Sequence, residues 1–286
     1  MTKNVKIYYH FWVETLYKVY ENSILNSLSK FTNKDWDEVP FGHLVIDDFL
    51  PINLVETLNE SLKTNIIELR DLWKEYDNPL EKKALLNDYS KFPKDVYSYF
   101  VALNSTAVTE LISSITAVDK IIPDVGLHGG GVHIHTQGGK LNVHQDYSLH
   151  PRTGLQRRLN IILYLNKNWD IAWGGGLGLY TEKISEEAPD QLIKTVDCVF
   201  NRAVIFDTAP GSWHGLPDPI RCPENTLRVS LAFYYTREPV PNAPSRGAVR
   251  FAPTPEQASD PAIADLILQR SNPLTAADVY RGKPKL

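Results

Sequence analysis

Apolar residues recur along the chain with two different periods, and the change falls near Pro123. Between residues 10 and 31, Phe11, Leu16, Val19, Leu25, Leu28 and Phe31 recur at roughly helical spacing. The run Phe41–Phe49 (FGHLVIDDF) predicts a short strand. Pro51 then opens a helix to about Lys63, with Leu54, Val55, Leu58 and Leu62 on one face. Residues 64–92 are polar and mixed, and the pattern assigns them to no element. From Asp95 to about Val118 the spacing is helical again, in two pieces around Asn104 and Ser105. Residues 1–120 therefore predict a mainly helical support region.

From 126 to 235 the texture changes to short apolar runs separated by Gly, Asn, Asp and Pro. They fall at 132–136, 140–146, 158–166, 176–181, 194–200, 202–207 and 226–236. Short strands with frequent turns indicate a sandwich or barrel, here placed at 121–238. Residues 239–286 differ once more: eight prolines in 48 residues argue against regular strands, and only 260–270 (DPAIADLILQR) has a helical pattern.

Composition bounds the function. The chain has 286 residues, 43% hydrophobic and 22% charged, enough for a sizeable core. A net charge of −4 offers no global basic field for nucleic acid. No apolar run approaches the ~20 residues needed to span a membrane. The start, MTKNVKIYYHFW, does not read as a signal peptide. Two cysteines, Cys198 and Cys222, exclude a cysteine-based zinc site by count and suggest a reduced, cytoplasmic pair. Oligomeric state is not encoded in any pattern we recognise.

Three features carry chemistry. In His144-Gln-Asp146 the outer two residues share one face of a strand, so an imidazole and a carboxylate converge, as in part of a facial iron triad. The triplet alone fits a polar strand end equally well. His214 follows the apolar strand Ala203–Phe206 and a turn with Pro210 and Gly211; it suits a third ligand, or a loop histidine packed beside Trp213. In Leu227–Tyr235, period 2 puts Arg228, Ser230, Ala232 and Tyr234 on one face. A guanidinium on a hydrophobic strand needs an anion, and its planar fork suits a carboxylate, to which Ser230 could add a hydroxyl. The glycine runs 129–131 and 174–176 lack the Lys-Ser/Thr of a phosphate loop and suit tight turns near the site.

The order His-x-Asp, β-rich stretch, His, Arg-x-Ser resembles the Fe(II)- and 2-oxoglutarate-dependent oxygenases, in their prolyl-4-hydroxylase-like branch. The resemblance rests on His144-Gln-Asp146, Arg158–Asn166 with Trp169, Gly174–Leu177, His214-Gly215 and Arg228-Val-Ser230. It covers about 126–236 well, residues from about 41 more loosely, and the tail not at all.

The resemblance implies a double-stranded β-helix (jelly-roll, cupin-like) core behind a helical leader. It implies iron ligands at His144, Asp146 and His214, and 2-oxoglutarate held by Arg228, Ser230 and Tyr164. Where some relatives place a tyrosine facing the cofactor, His135 or His133 is nearest here. Fe(II), 2-oxoglutarate and O2 would then be the cofactor and cosubstrates, with succinate and CO2 as co-products of aliphatic hydroxylation. A carboxylate at Asp146 fills the position a halide would need. Arg157, Arg158 and Trp213 are expected to rim the pocket. Those groups favour a small anionic or amino-acid-like metabolite, with a peptidyl proline as the alternative. The leader, the loop 182–193 and the tail would set the substrate. Two other classes fit less of the pattern: a cupin-like zinc enzyme, which would not need Arg228 and Ser230, and a binding protein with a vestigial site.

Overall fold

The computed structural model describes residues 3–276 and 278–280, with the side chains of 3–14, 67 and 280 left aside. The side chain of Phe11 and the last residues of the tail thus lie outside the described part.

The leader begins with α1 (Lys3–Leu28), β1 (His43–Ile46) and α2 (Ile52–Glu68). A hairpin follows, β2 (Lys74–Asn78) and β3 (Glu81–Leu86), in the segment whose polar, mixed pattern predicted no element. Next come α3 (Lys94–Leu103) and α4 (Thr106–Thr116). The break between these helices has a local cause: Ser105 is extended, and its side chain accepts from the Val108 N–H as the N-cap of α4. The leader is therefore not purely helical; three of its strands join the main sheet.

The remaining strands are β4 (Ile122–Pro123), β5 (Gly131–His135), β6 (Lys140–Leu141), β7 (His144–Gln145), β8 (Gln156–Tyr164), β9 (Leu177–Glu182), β10 (Pro189–Val196), β11 (Ala203–Asp207), β12 (Trp213–Gly215), β13 (Arg228–Arg237) and β14 (Arg250–Phe251), before α5 (Pro261–Ser271). The larger sheet runs β1-β11-β8-β13-β5-β3-β2, with β4 beside β13 and β6 beside β3. The smaller runs β10-β9-β12-β7-β14. Every pairing is antiparallel. This is the double-stranded β-helix. Residues 182–193 are no free loop; they turn from β9 into β10.

Strand alternation divides the larger sheet. On β13, Val229, Leu231, Phe233 and Tyr235 join the hydrophobic core with Leu159, Ile161 and Leu163 of β8 and with Tyr99, Phe100 and Leu103 of α3. Phe100 lies 6.2 Å from Phe233, ring to ring, and the Tyr235 hydroxyl donates to the Leu103 carbonyl at 3.0 Å. The helices thus cover one face of the sheet. The opposite face, bearing Arg228, Ser230, Ala232 and Tyr234, is turned toward the smaller sheet and lines a cavity of about 530 Å³. Cys198 and Cys222 are both buried free thiols. Among the described residues, no helix is long and apolar enough to cross a membrane.

Despite its prolines the tail contributes a strand. β14 pairs with β7, and α5 forms where the pattern predicts it, with Asp260 as N-cap and Pro261 in its first turn.

Candidate metal and cosubstrate site

His144 and His214 stand opposite each other on β7 and β12, a register pair of the smaller sheet. Asp146 follows β7 by one residue. One potential ligand atom from each of the three lies within 4.8 Å of the others. The Asp146 Oδ1 is 3.9 Å from His144 Nε2, and its Oδ2 is 3.9 Å from His214 Nε2. All three side chains are buried.

The protonation pattern suits a metal. The Nδ1 of His144 lies 2.9 Å from the Asn142 carbonyl, and that of His214 lies 2.9 Å from the Ser212 carbonyl. A carbonyl only accepts, so each Nδ1 must donate, which leaves the Nε2 lone pairs facing Asp146. Burial, helped by the neighbouring His214, holds His144 neutral down to about 3, and burial lowers His214 as well. Burial alone would raise the Asp146 carboxyl, but Arg157 and the two imidazoles outweigh it and hold it near 2. Two neutral imidazoles and one anion form a hard–borderline donor set suited to a divalent first-row ion. The Asp146 Oδ2 is also buried without a hydrogen-bond partner, as a ligand atom awaiting an ion would be.

Arg157 explains why Asp146 presents that oxygen. Its Nη1 sits 3.3 Å from Asp146 Oδ1, and its guanidinium lies between the rings of Tyr147 and Tyr234, at 3.6 and 3.4 Å from their centroids. The same group donates to the His128 carbonyl and the Tyr147 hydroxyl. Gly129 leaves room for it, since a Cβ there would lie 3.2 Å from Nη2. Arg157 is thus a buried partner of a site carboxylate and not the exposed rim group that the sequence suggests.

Arg228 is buried as well, 4% exposed. Its Nε donates to the Gly175 carbonyl at 2.6 Å, and its Nη1 lies 3.5 Å from both Ser230 Oγ and His135 Nδ1. Its guanidinium carbon is 5.1 Å from the Tyr164 ring. Among the described residues no carboxylate pairs with Arg228. Beside it, the Tyr164 hydroxyl and His135 Nε2 are buried with no hydrogen-bond partner. Burial pushes the Tyr164 phenol up, and burial with Arg228 beside it holds His135 neutral. A buried guanidinium without an anion, ringed by orphaned donors, fits the distal carboxylate of a bound diacid.

Two expected rim residues sit elsewhere. Arg158, adjacent to Arg157 on β8, points to the other face and pairs with Asp207 at 2.8 Å. Trp213, adjacent to His214, also points away and donates from its indole to Glu182 at 3.0 Å. Alternation accounts for Trp213 beside His214, whereas on β8 a register shift against β13 puts Arg157 rather than Arg158 on the cavity face with Asn160.

The cavity is lined instead by Asn160, His133, Lys83, Tyr147 and Tyr234, and by Gly247, Ala248, Val249 and Phe251 of the tail. The buried Oδ1 of Asn160 has no partner, and its inward position is legible from the same alternation as Tyr164. Lys83 and the tail residues had no sequence signal, because a mixed polar hairpin and a proline-rich coil show no period.

The sequence model of the 2OG-Fe(II) oxygenase superfamily matches residues 130–236, which span both histidines, Asp146 and Arg228. Among curated proteins, mouse prolyl 3-hydroxylase OGFOD1 is 31% identical over 97 residues, covering 31% of this chain and 18% of that protein. The chain therefore matches under a fifth of that relative's length. Among solved structures, a Phytophthora capsici prolyl 4-hydroxylase aligns with a TM-score of 0.51 at 19% identity, covering 90% of this chain and 76% of that one. A Pseudomonas putida prolyl-4-hydroxylase aligns at 0.49 and 17% identity, covering 77% of this chain and 100% of that one. Over residues 130–236, then, the chain is similar in sequence to the 2OG-Fe(II) oxygenase superfamily.

Proposed function

We propose that this protein is an Fe(II)- and 2-oxoglutarate-dependent hydroxylase. Its iron ligands are His144, Asp146 and His214, and its cosubstrate carboxylate is held by Arg228, Tyr164 and Ser230. The observation that carries this reading is the juxtaposition in one buried cavity of the His/Asp/His cluster with an arginine that has no carboxylate partner among the described residues. Bound iron supplies the activation of O2 by which 2-oxoglutarate is oxidised to succinate and CO2. The protein keeps the imidazoles neutral, fixes Asp146 by way of Arg157 and excludes water from a largely buried site.

For the substrate we favour a peptidyl proline over a small anionic metabolite. The metabolite reading rested on Arg157, Arg158 and Trp213 at the rim, and none of them is a free rim group. The mouse relative is named a prolyl hydroxylase. The cavity also runs along the inner face of the larger sheet, from Asn160 on β8 across β13, β5 and β3 to Lys74 and Tyr76 on β2. Five strands about 4.8 Å apart make a trough on the order of 19 Å across, suited to an extended chain.

Succinate release from 2-oxoglutarate with Fe(II) and ascorbate decides the matter. The expected stimulation is by proline-containing peptides and not by free amino acids or small organic acids. Stimulation by a small acid alone would reverse the substrate class, and an absence of succinate under all conditions would remove the activity.

A further inference from the structure

The strand that carries His144 is only two residues long. Within residues 130–236 its strand partner is β12, through the single pair His214–His144. Its other edge is closed by the tail, outside the matched region: Arg250 pairs with Gln145 and Phe251 with His144. The contacts continue on both sides. The Ala252 N–H donates to the Val143 carbonyl at 2.8 Å, and Asn142, whose carbonyl orients His144, donates to the Ala252 carbonyl at 3.0 Å and to Gln257 at 2.6 Å. The Arg246 Nη2 donates to the Asp146 carbonyl at 2.6 Å, and the Arg246 carbonyl accepts from the Ser148 N–H at 2.7 Å. The Phe251 ring lies 5.4 Å from the His144 ring, on which His214 also packs at 4.4 Å.

The tail is itself anchored at a distance. Phe251 and Ile263 pack with Leu80 at the turn between β2 and β3, and Gln257 donates to the Pro79 carbonyl at 2.8 Å.

We infer that Arg246 and Phe251 of the carboxy-terminal extension are positioning residues of the metal centre, holding the backbone of Asp146 and the ring of His144 in ligating geometry. A two-residue strand with one open edge would leave its backbone polar groups and its register weakly fixed. The extension closes that edge over both ligands on β7 and its end. It belongs to the site as much as the matched core does, although none of its described residues is part of the His/Asp/His cluster. The inference rests on the metal-site reading above.

The test is calorimetric titration of metal-free protein with Mn(II) in the presence of 2-oxoglutarate, alongside the melting temperature of the metal-free form. Arg246→Met removes the donor to Asp146 and keeps the bulk; Phe251→Leu removes the ring and keeps an apolar side chain. Each is expected to weaken Mn(II) roughly 10–100-fold, the range for groups that orient metal ligands. The metal-free melting temperature should stay within a few degrees of wild type, and Arg246→Lys should regain most of the affinity. Wild-type affinity in both variants overturns the inference, as does an affinity loss that merely follows a collapse in melting temperature in both. If wild-type protein binds no Mn(II), the metal-site reading itself fails, and that outcome is distinct from equal binding by wild type and variants.

Discussion

At the scale of single residues, the candidate site gathers buried polar atoms that have no hydrogen-bond partner among the described residues. Arg228 lies among them: a guanidinium 4% exposed, bonded to a backbone carbonyl and to no carboxylate among the described residues. Arg228→Met should therefore weaken 2-oxoglutarate by on the order of 1.5–3 kcal/mol, the worth of charge-assisted hydrogen bonds, with little change in metal affinity. Tyr164→Phe removes one neutral donor and should cost about 0.5–1.5 kcal/mol in the same titration. Unchanged cosubstrate affinity in Arg228→Met would remove the anchor. Arg228 stood out in the sequence as a guanidinium on one face of an apolar strand, whereas the proposed ligands His144, Asp146 and His214 were legible only through the order of motifs that carries the resemblance. Trp213 was misplaced because alternation lets only one of Trp213 and His214 face the cavity; Arg158 was misplaced because it shares the parity of Asn160, and only a register shift of β8 against β13 brings Arg157 inside in its place.

Histidines facing the cavity also set a pH dependence. Burial, with Lys83 adding, holds His133 near 3, and burial with His214 holds His144 near 3. In the unfolded chain each titrates near 6.5. The folded values are lower, so the unfolded state takes up protons first. The stability these residues contribute is complete above about pH 6.5 and is lost as pH falls toward 3, at roughly 1.4 kcal/mol per pH unit for each group. Denaturant midpoints of metal-free protein should fall between pH 7.5 and 5, and His133→Gln should shallow that fall. A midpoint independent of pH over this range would contradict the neutral assignment.

At the scale of elements, what positions Arg228, the proposed cosubstrate anchor, is the turn before β9. Gly175 has φ +80°, its carbonyl accepts from Arg228, and a Cβ there would lie 3.0 Å from Arg228 Cδ. Gly175→Ala should cost about 1–3 kcal/mol of stability from the left-handed backbone and also weaken 2-oxoglutarate, because the strain falls on the anchor. Denaturant unfolding and the same titration would check both. Elements with a clear period were legible: α2, the α3–α4 pair with its break at Ser105, and β8, β11 and β13. The β2–β3 hairpin was not, since Lys74–Asn78 and Glu81–Leu86 carry charged residues on both faces, and β3 is held in the sheet by β5, remote in sequence. The two-residue strands β7 and β14 are too short to show any period, and their pairing is fixed by tertiary contacts.

At the scale of the whole molecule, three layers depend on one another. The helices of the leader cover one face of the larger sheet, the cavity occupies the other, and the tail closes the far edge of the smaller sheet. Phe100, fully buried between Phe92, Tyr99 and Phe233, links the helical layer to the strand that carries Arg228. Phe100→Ala should destabilise the protein by about 3–5 kcal/mol in chemical denaturation. The central claim is that this scaffold holds one iron ion between β7 and β12 for 2-oxoglutarate chemistry. Its most direct test is succinate formation by purified wild-type protein and by His214→Ala, supplied with Fe(II), 2-oxoglutarate and O2, with circular dichroism recorded on both. Succinate should form in the wild type and stop in His214→Ala while the two spectra coincide; undiminished succinate formation by a folded His214→Ala protein would contradict the assignment.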